Sequence, residues 1–189
     1  MKQENHKIED IIRIFDDCFA IEYNTRLARG GDYPIYLPAF LNEGGIKSER
    51  SYNVIFFAHG YYSSALHEIA HWLVAGEERR KLEDFGYWYE PDGRSAERQR
   101  EFERAEVKPQ AIEWVLATAA GFRYFASADN LSGNPGDNSA FKLAVYDQVK
   151  VYAERGYLPK RAETLRKALC RFYGTSDMIN LNQFDIDRI

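Results

Sequence analysis

The chain has 189 residues, 45% hydrophobic and 15% aromatic, which excludes a disordered or low-complexity polymer. Its formal net charge of −4 at pH 7 argues against a protein that works by neutralising phosphates, so no nucleic-acid partner is expected. Two cysteines, Cys18 and Cys170, are too few for a disulfide framework or a cysteine-based zinc finger.

The N-terminal ten residues carry no apolar leader, and no stretch approaches the roughly 18 apolar residues of a membrane span. With so few cysteines, the expected setting is the cytoplasm, away from any membrane. Ile8, Ile11, Ile12, Phe15 and Phe19 repeat at helical spacing and predict an amphipathic helix over 7–20. A turn is expected over 28–34, and Ile35-Tyr36-Leu37, flanked by prolines, reads as an edge strand. Residues 42–51 read as a polar loop. Asn53 to Ala58 is short, β-branched and aromatic, and apolar on both faces, the pattern of a buried central strand. Ser63 or Ser64 can cap a helix over roughly 63–82 with Leu66, Ile69, Ala70 and Leu73 as its core stripe. Asp84 to Tyr89 is aromatic and strand-like, and Pro91-Asp92-Gly93 signals a turn.

Residues 95–106 alternate in charge and read as a solvated helical face. Pro109 suits the first turn of a second helix, apolar nearly all round, running to about Phe125. After a Gly/Asn/Pro loop over 129–137, Phe141, Val145, Val149 and Tyr152 mark another helix ending at Gly156. Pro159 opens a last one that Gly174 stops. The fold class is α+β: one mainly helical domain over 1–189 with a small β-sheet, the histidine-bearing helix packed beside a buried central helix.

Three of the four histidines, His59, His67 and His71, lie within thirteen residues. His67-Glu68-Ile69-Ala70-His71 places two imidazoles one turn apart on one helical face, where they can converge on a metal ion. Glu68 is rotated by about 100° from His67. It therefore points near the metal rather than at it, a place for a catalytic group that acts on a bound water or ligand. A third ligand is needed. Glu106, at the entrance to the apolar helix, is the first choice, and a metal would remove the cost of burying its charge. Glu113 is the second choice, while Glu101 and Glu103 belong to the charged face. His59, at the end of the central strand, is either a supporting donor or substrate contact, or simply a hydrogen-bonded strand-end histidine. His6 is expected to face solvent.

Several strings resemble one family: Asn24-Thr25-Arg26-Leu27, Pro34 to Ala39, Phe57-Ala58-His59-Gly60-Tyr61-Tyr62, His67 to Trp72, Asp84 to Tyr89, Pro91 to Arg94, Glu106 to Ala111, and Asp129-Asn130-Leu131. The chain resembles the bacterial elongation factor P hydroxylases from about Ile8 to Tyr173. That resemblance implies hydroxylation of a lysine of elongation factor P after β-lysine has been attached to it. It also implies a non-haem iron site of two histidines and one carboxylate, carried over to His67, His71 and Glu106, with molecular oxygen as cosubstrate. Two histidines and a carboxylate leave open coordination positions, as iron(II) oxygen chemistry requires. An acidic protein also suits a lysine-rich substrate, with Glu83, Asp84, Asp92 and Asp129 as sources of the field. Tyr87 and Trp88, with Tyr89, are candidates to line a slot for the lysine stem, and His59 and Asp92 complete the candidate substrate contacts. The pattern expected for 2-oxoglutarate dependence is not visible. A helix-borne HExxH is also the signature of zinc peptidases, so a cytoplasmic zinc metallopeptidase is the alternative. A non-catalytic binding module is a third reading, opposed by the intact His67, His71 and Glu106.

Overall fold

The computed structural model describes residues 6–39, 50–86, 94–127 and 138–189. Five α-helices carry most of the structure: α1 (Ile8–Phe19), α2 (Tyr62–Val74), α3 (Ala96–Ala120), α4 (Ser139–Arg155) and α5 (Lys160–Tyr173). Three strands, β1 (Thr25–Arg29), β2 (Ile35–Leu37) and β3 (Asn53–Phe57), form a mixed sheet in the order β1-β3-β2. β1 runs parallel to β3, with Thr25 opposite Asn53, and β2 runs antiparallel to it, with Tyr36 opposite Ile55. The apolar run of β3 is thus the central strand and Ile35–Leu37 an edge, as their sequences require. No described helix is long and apolar enough to cross a membrane.

β1 is missed by composition because Arg26 and Arg29 interrupt it. Its inward residues Thr25 and Leu27 are buried in strict alternation. Ala28 and Arg29 therefore end a strand instead of opening a turn. Asp16, in the last turn of α1, holds the free edge: its Oδ1 accepts from the Leu27 amide at 3.0 Å and its Oδ2 from Arg26 at 3.2 Å.

α2 follows β3 and is shorter than its periodicity suggests. Its N-cap is Tyr61, not a serine, and Ser64 Oγ instead accepts from the Ala58 amide at 3.1 Å. The helix stops at Val74 because its last carbonyls are taken by arginines from elsewhere in the chain. Arg161 donates to the carbonyls of Trp72, Leu73 and Ala75 at 2.9, 3.0 and 2.6 Å, and Arg80 to that of Ala75 at 2.8 Å. A terminal cation also complements the negative end of the helix. On the core side Leu66, Ile69, Ala70 and Leu73 are buried as their spacing requires.

The charged run and the apolar run are one helix rather than two. α3 is 25 residues long and passes straight through Pro109. An interior proline forfeits a backbone hydrogen bond and costs on the order of 3 kcal/mol. The near-complete burial of residues 109–120, broken only at Thr118, offsets that cost. On this helix Phe102, Glu106, Gln110 and Glu113 recur at three- and four-residue spacing, and all are buried. That stripe faces α2, against which α3 packs.

The segment expected to be a strand from Asp84 begins as a 3₁₀ turn over Glu83–Gly86. Asp84 is drawn inward to accept the Tyr36 amide at 2.7 Å, and Phe85 stacks on Tyr36 at 4.4 Å. The turn is tied to β2 rather than paired as a strand. Tyr87, Trp88, Tyr89, Asp92 and Asp129, and most of the loops over 42–51 and 129–137, lie outside the described residues. His6 is not solvated: its Nε2 lies 2.7 Å from the Ala120 carbonyl, and its ring packs among Tyr62, Phe122 and Tyr173.

Candidate metal centre

α2 and α3 bring the three first-choice groups together. His67 Nε2 and His71 Nε2 lie 3.1 Å apart. The Glu106 carboxylate sits 3.2 Å from His71 Nε2 and 3.7 Å from His67 Nε2. One ligand atom from each residue falls within 4.8 Å of the others, the one such His/Cys/Asp/Glu group among the described residues. Glu106 is 1% exposed, so its charge is desolvated and needs a cationic partner. Two ring nitrogens facing each other at this distance cannot both carry protons aimed across the gap. A cation between them and the carboxylate satisfies all three groups, and imidazole with carboxylate is a donor set for iron, zinc and their neighbours.

Glu113, the second choice for a ligand, stands behind the cluster rather than in it. Its Oε2 lies 2.8 Å from His67 Nδ1, on the far side of the ring from the cluster. A proton held at Nδ1 leaves the Nε2 lone pair free for a metal, the carboxylate–histidine arrangement that orients ligating imidazoles. Glu113→Gln should therefore weaken divalent-metal binding by roughly 10–100-fold without emptying the cluster. Equilibrium titration with cobalt or zinc reads this, and affinity equal to wild type would refute the role.

Gln110 was not legible as a functional residue, although it stands four residues after Glu106. Its Nε2 donates to Glu106 Oε2 at 3.3 Å and to the Ser127 carbonyl at 2.6 Å. Its Oε1 accepts from the Tyr124 hydroxyl at 2.9 Å and the Ser127 amide at 3.2 Å. This fully paired amide fixes the inward carboxylate against the segment that follows α3. Burial pushes the Tyr124 hydroxyl far up, so it stays a donor.

Without a metal the cluster is held by charge. For His67, burial opposes protonation, but Glu113, by its charge and hydrogen bond, and then Glu106 overcome it and raise the ring to about 10. For Glu106, burial opposes ionisation, but His71 and then His67 hold the carboxyl down at about 2. Burial pushes Glu68 up, against the pull of His67 and His71. The raised His67 stabilises the metal-free fold fully below its ordinary value of 6.5, and this is lost as pH rises through about 10. The lowered Glu106 stabilises it above its ordinary 4.5, and this is lost as pH falls through about 2. Metal-free protein should therefore be most stable between about pH 4.5 and 6.5, with metal affinity rising above that window as the His67 proton becomes easier to displace. Urea unfolding in chelator across pH tests this; stability still climbing above pH 7 would contradict it.

A cleft of about 490 Å³ opens beside the cluster, lined by His67, Glu68 and Glu113 and farther out by Asp32, His59 and Phe125. Glu68 thus lies next to the ligand cluster and faces open space. His59 shares the cleft but not the cluster. Its ring is half-exposed and its Nδ1 lies 4.0 Å from Asp32 Oδ1, away from the three clustered groups. Glu101 is exposed and Glu103 is bonded to Gln99 at 3.0 Å, so neither joins the site.

The family model for elongation factor P hydroxylase matches residues 14–184. The chain belongs to the elongation factor P hydroxylase family. It is 74% identical over 181 residues to the elongation factor P lysine hydroxylase of Haemophilus influenzae, covering 96% of this chain and 97% of that protein. Membership in this family makes the protein an enzyme, a hydroxylase, and agrees with a buried two-histidine, one-glutamate cluster beside an open cleft.

Proposed function

We propose that this protein hydroxylates the β-lysylated lysine of elongation factor P, using iron(II) held by His67, His71 and Glu106 and molecular oxygen as cosubstrate. The observation that carries the reading is near-full-length identity to a lysine hydroxylase of that factor, joined to the convergence of those side chains on one point. Bound there, a redox-active metal with open coordination positions would supply the oxygen chemistry. The residues of this chain do the rest. Glu113 fixes the His67 tautomer, Gln110 fixes the Glu106 carboxylate, and Glu68 stands over the open side to orient a ligand or pass a proton. A translation factor as substrate supports a cytoplasmic setting.

The zinc metallopeptidase alternative rests on the helix-borne His67-Glu68-Ile69-Ala70-His71 pattern alone and has no support from the family. Mass spectrometry of modified elongation factor P, incubated with the protein, iron(II) and oxygen, should show the gain of one oxygen atom. An unchanged mass with reductant and oxygen present, or full activity with zinc alone, would overturn the reading. Glu68→Gln should keep its metal yet lose roughly 10²–10⁴-fold in hydroxylation rate, the usual worth of a positioned proton-transfer group. Metal analysis beside the rate assay checks both halves, and wild-type turnover would remove Glu68 from the mechanism.

A further inference from the structure

The mouth of the cleft beside His67 carries an unusual share of exposed aromatic surface. Asp32 and Pro34 line the cleft, and Tyr33 between them is 83% exposed. Tyr61 is 64% exposed, its ring 5.7 Å from that of His59, another lining residue. Phe125 also lines the cleft and is 56% exposed. The chain after β3 is turned to make this rim: His59 and Gly60 take successive left-handed conformations, φ 55° and 68°. At φ 68° Gly60 holds a backbone conformation that L side chains rarely adopt, which favours glycine there. Exposed tyrosines and phenylalanine clustered at an opening are the residues that anchor protein partners.

The interior of the same cleft suits a lysine arm. Leu66 and Phe122 offer apolar wall for a methylene stem, while Glu68, Glu113 and the mouth residue Asp32 outnumber the single guanidinium, Arg123. Arg123 lies 4.5 Å from the Phe125 ring.

We propose that Tyr33, Tyr61 and Phe125 form the docking rim for the lysine-bearing loop of the protein substrate, which feeds its side chain past His59 and Asp32 toward His67. The identity of the occupant rests on the function proposed above; the rim itself rests on exposure and on its continuity with the cleft. Binding and turnover are to be measured separately, on the full-length protein with β-lysylated elongation factor P. Tyr33→Ser, Tyr61→Ser and Phe125→Ser should each weaken direct binding about fivefold to tenfold or more, with the loss falling on KM rather than kcat and metal affinity unmoved. Tyr157→Ser, an exposed tyrosine outside this cleft, should bind as wild type. Rim variants that bind within about twofold of wild type, or a wild type with no measurable affinity for the factor, would overturn the proposal. Rim-dependent binding without any hydroxylation would support the docking surface while overturning the oxygenase reading.

Discussion

Replacing Glu106 with alanine should abolish tight metal binding and reduce hydroxylation well beyond the roughly 10–100-fold that loss of a supporting group costs. The carboxylate is the only anionic member of the cluster, with its oxygens 3.2 and 3.7 Å from the two Nε2 atoms. Without it a cation would be asked to sit between two neutral imidazoles in a desolvated pocket. The fold should suffer as well. In the metal-free protein Glu106 is the buried counter-charge for the histidines, and removing one partner of such a pair costs about 3–5 kcal/mol. Gln110 would also lose an acceptor, since its Nε2 is shared between Glu106 and Ser127. Glu106→Gln separates the two effects, because it keeps the volume and removes the charge. It should lose the metal while keeping more of the stability. Zinc or cobalt titration with thermal unfolding decides the matter, and a Glu106→Ala protein that binds metal like wild type would refute its place as a ligand.

The two histidines and the inward glutamate were readable because helical spacing alone puts His67 and His71 on one face and Glu106 at the edge of an apolar run. The distinction between Glu106 and Glu113 was not. Both lie on the same stripe of α3, seven residues apart, and spacing cannot say which meets the Nε2 side of a ring and which the Nδ1 side. That follows from the offset between α2 and α3, a tertiary quantity. Gln110 carried a weaker sign, a polar residue on a buried stripe, which only its hydrogen bonds to Glu106, Tyr124 and Ser127 turn into a role. The end of α2 was only half legible: Gly76 is a local stop signal, but the guanidinium that donates to the last carbonyls comes from Arg161, more than eighty residues away. The unbroken α3 shows the reverse case, where a local breaker, Pro109, is overridden by burial. β1 was hidden because its charged residues face outward and its pairing is with a strand more than twenty residues later.

Trp72→Ala should lower stability by about 3–5 kcal/mol, the usual cost of truncating a buried aromatic. Trp72 is fully buried. Its ring meets Phe15 at 5.3 Å, Phe19 at 4.9 Å and Tyr23 at 5.6 Å, and the Arg161 guanidinium lies 4.5 Å from its centroid. This is the back of the metal helix: His71 faces the cluster, and the next residue fastens α2 to α1. The alanine variant leaves a void among three rings and removes the platform on which Arg161 lies while capping the helix end. Against a total of about 5–15 kcal/mol the loss is large, yet part of it is recoverable. Metal at about 100 times its dissociation constant adds about 2.7 kcal/mol to any protein that binds it only when folded. Urea unfolding of Trp72→Ala should therefore show a deep deficit against wild type in chelator, and saturating metal should raise the variant's own stability by about as much as it raises that of wild type. A deficit under about 1 kcal/mol in chelator would mean that α2 is held by its other contacts. The absence of rescue by metal would mean that anchoring the back of the helix is a condition for assembling the cluster at its front.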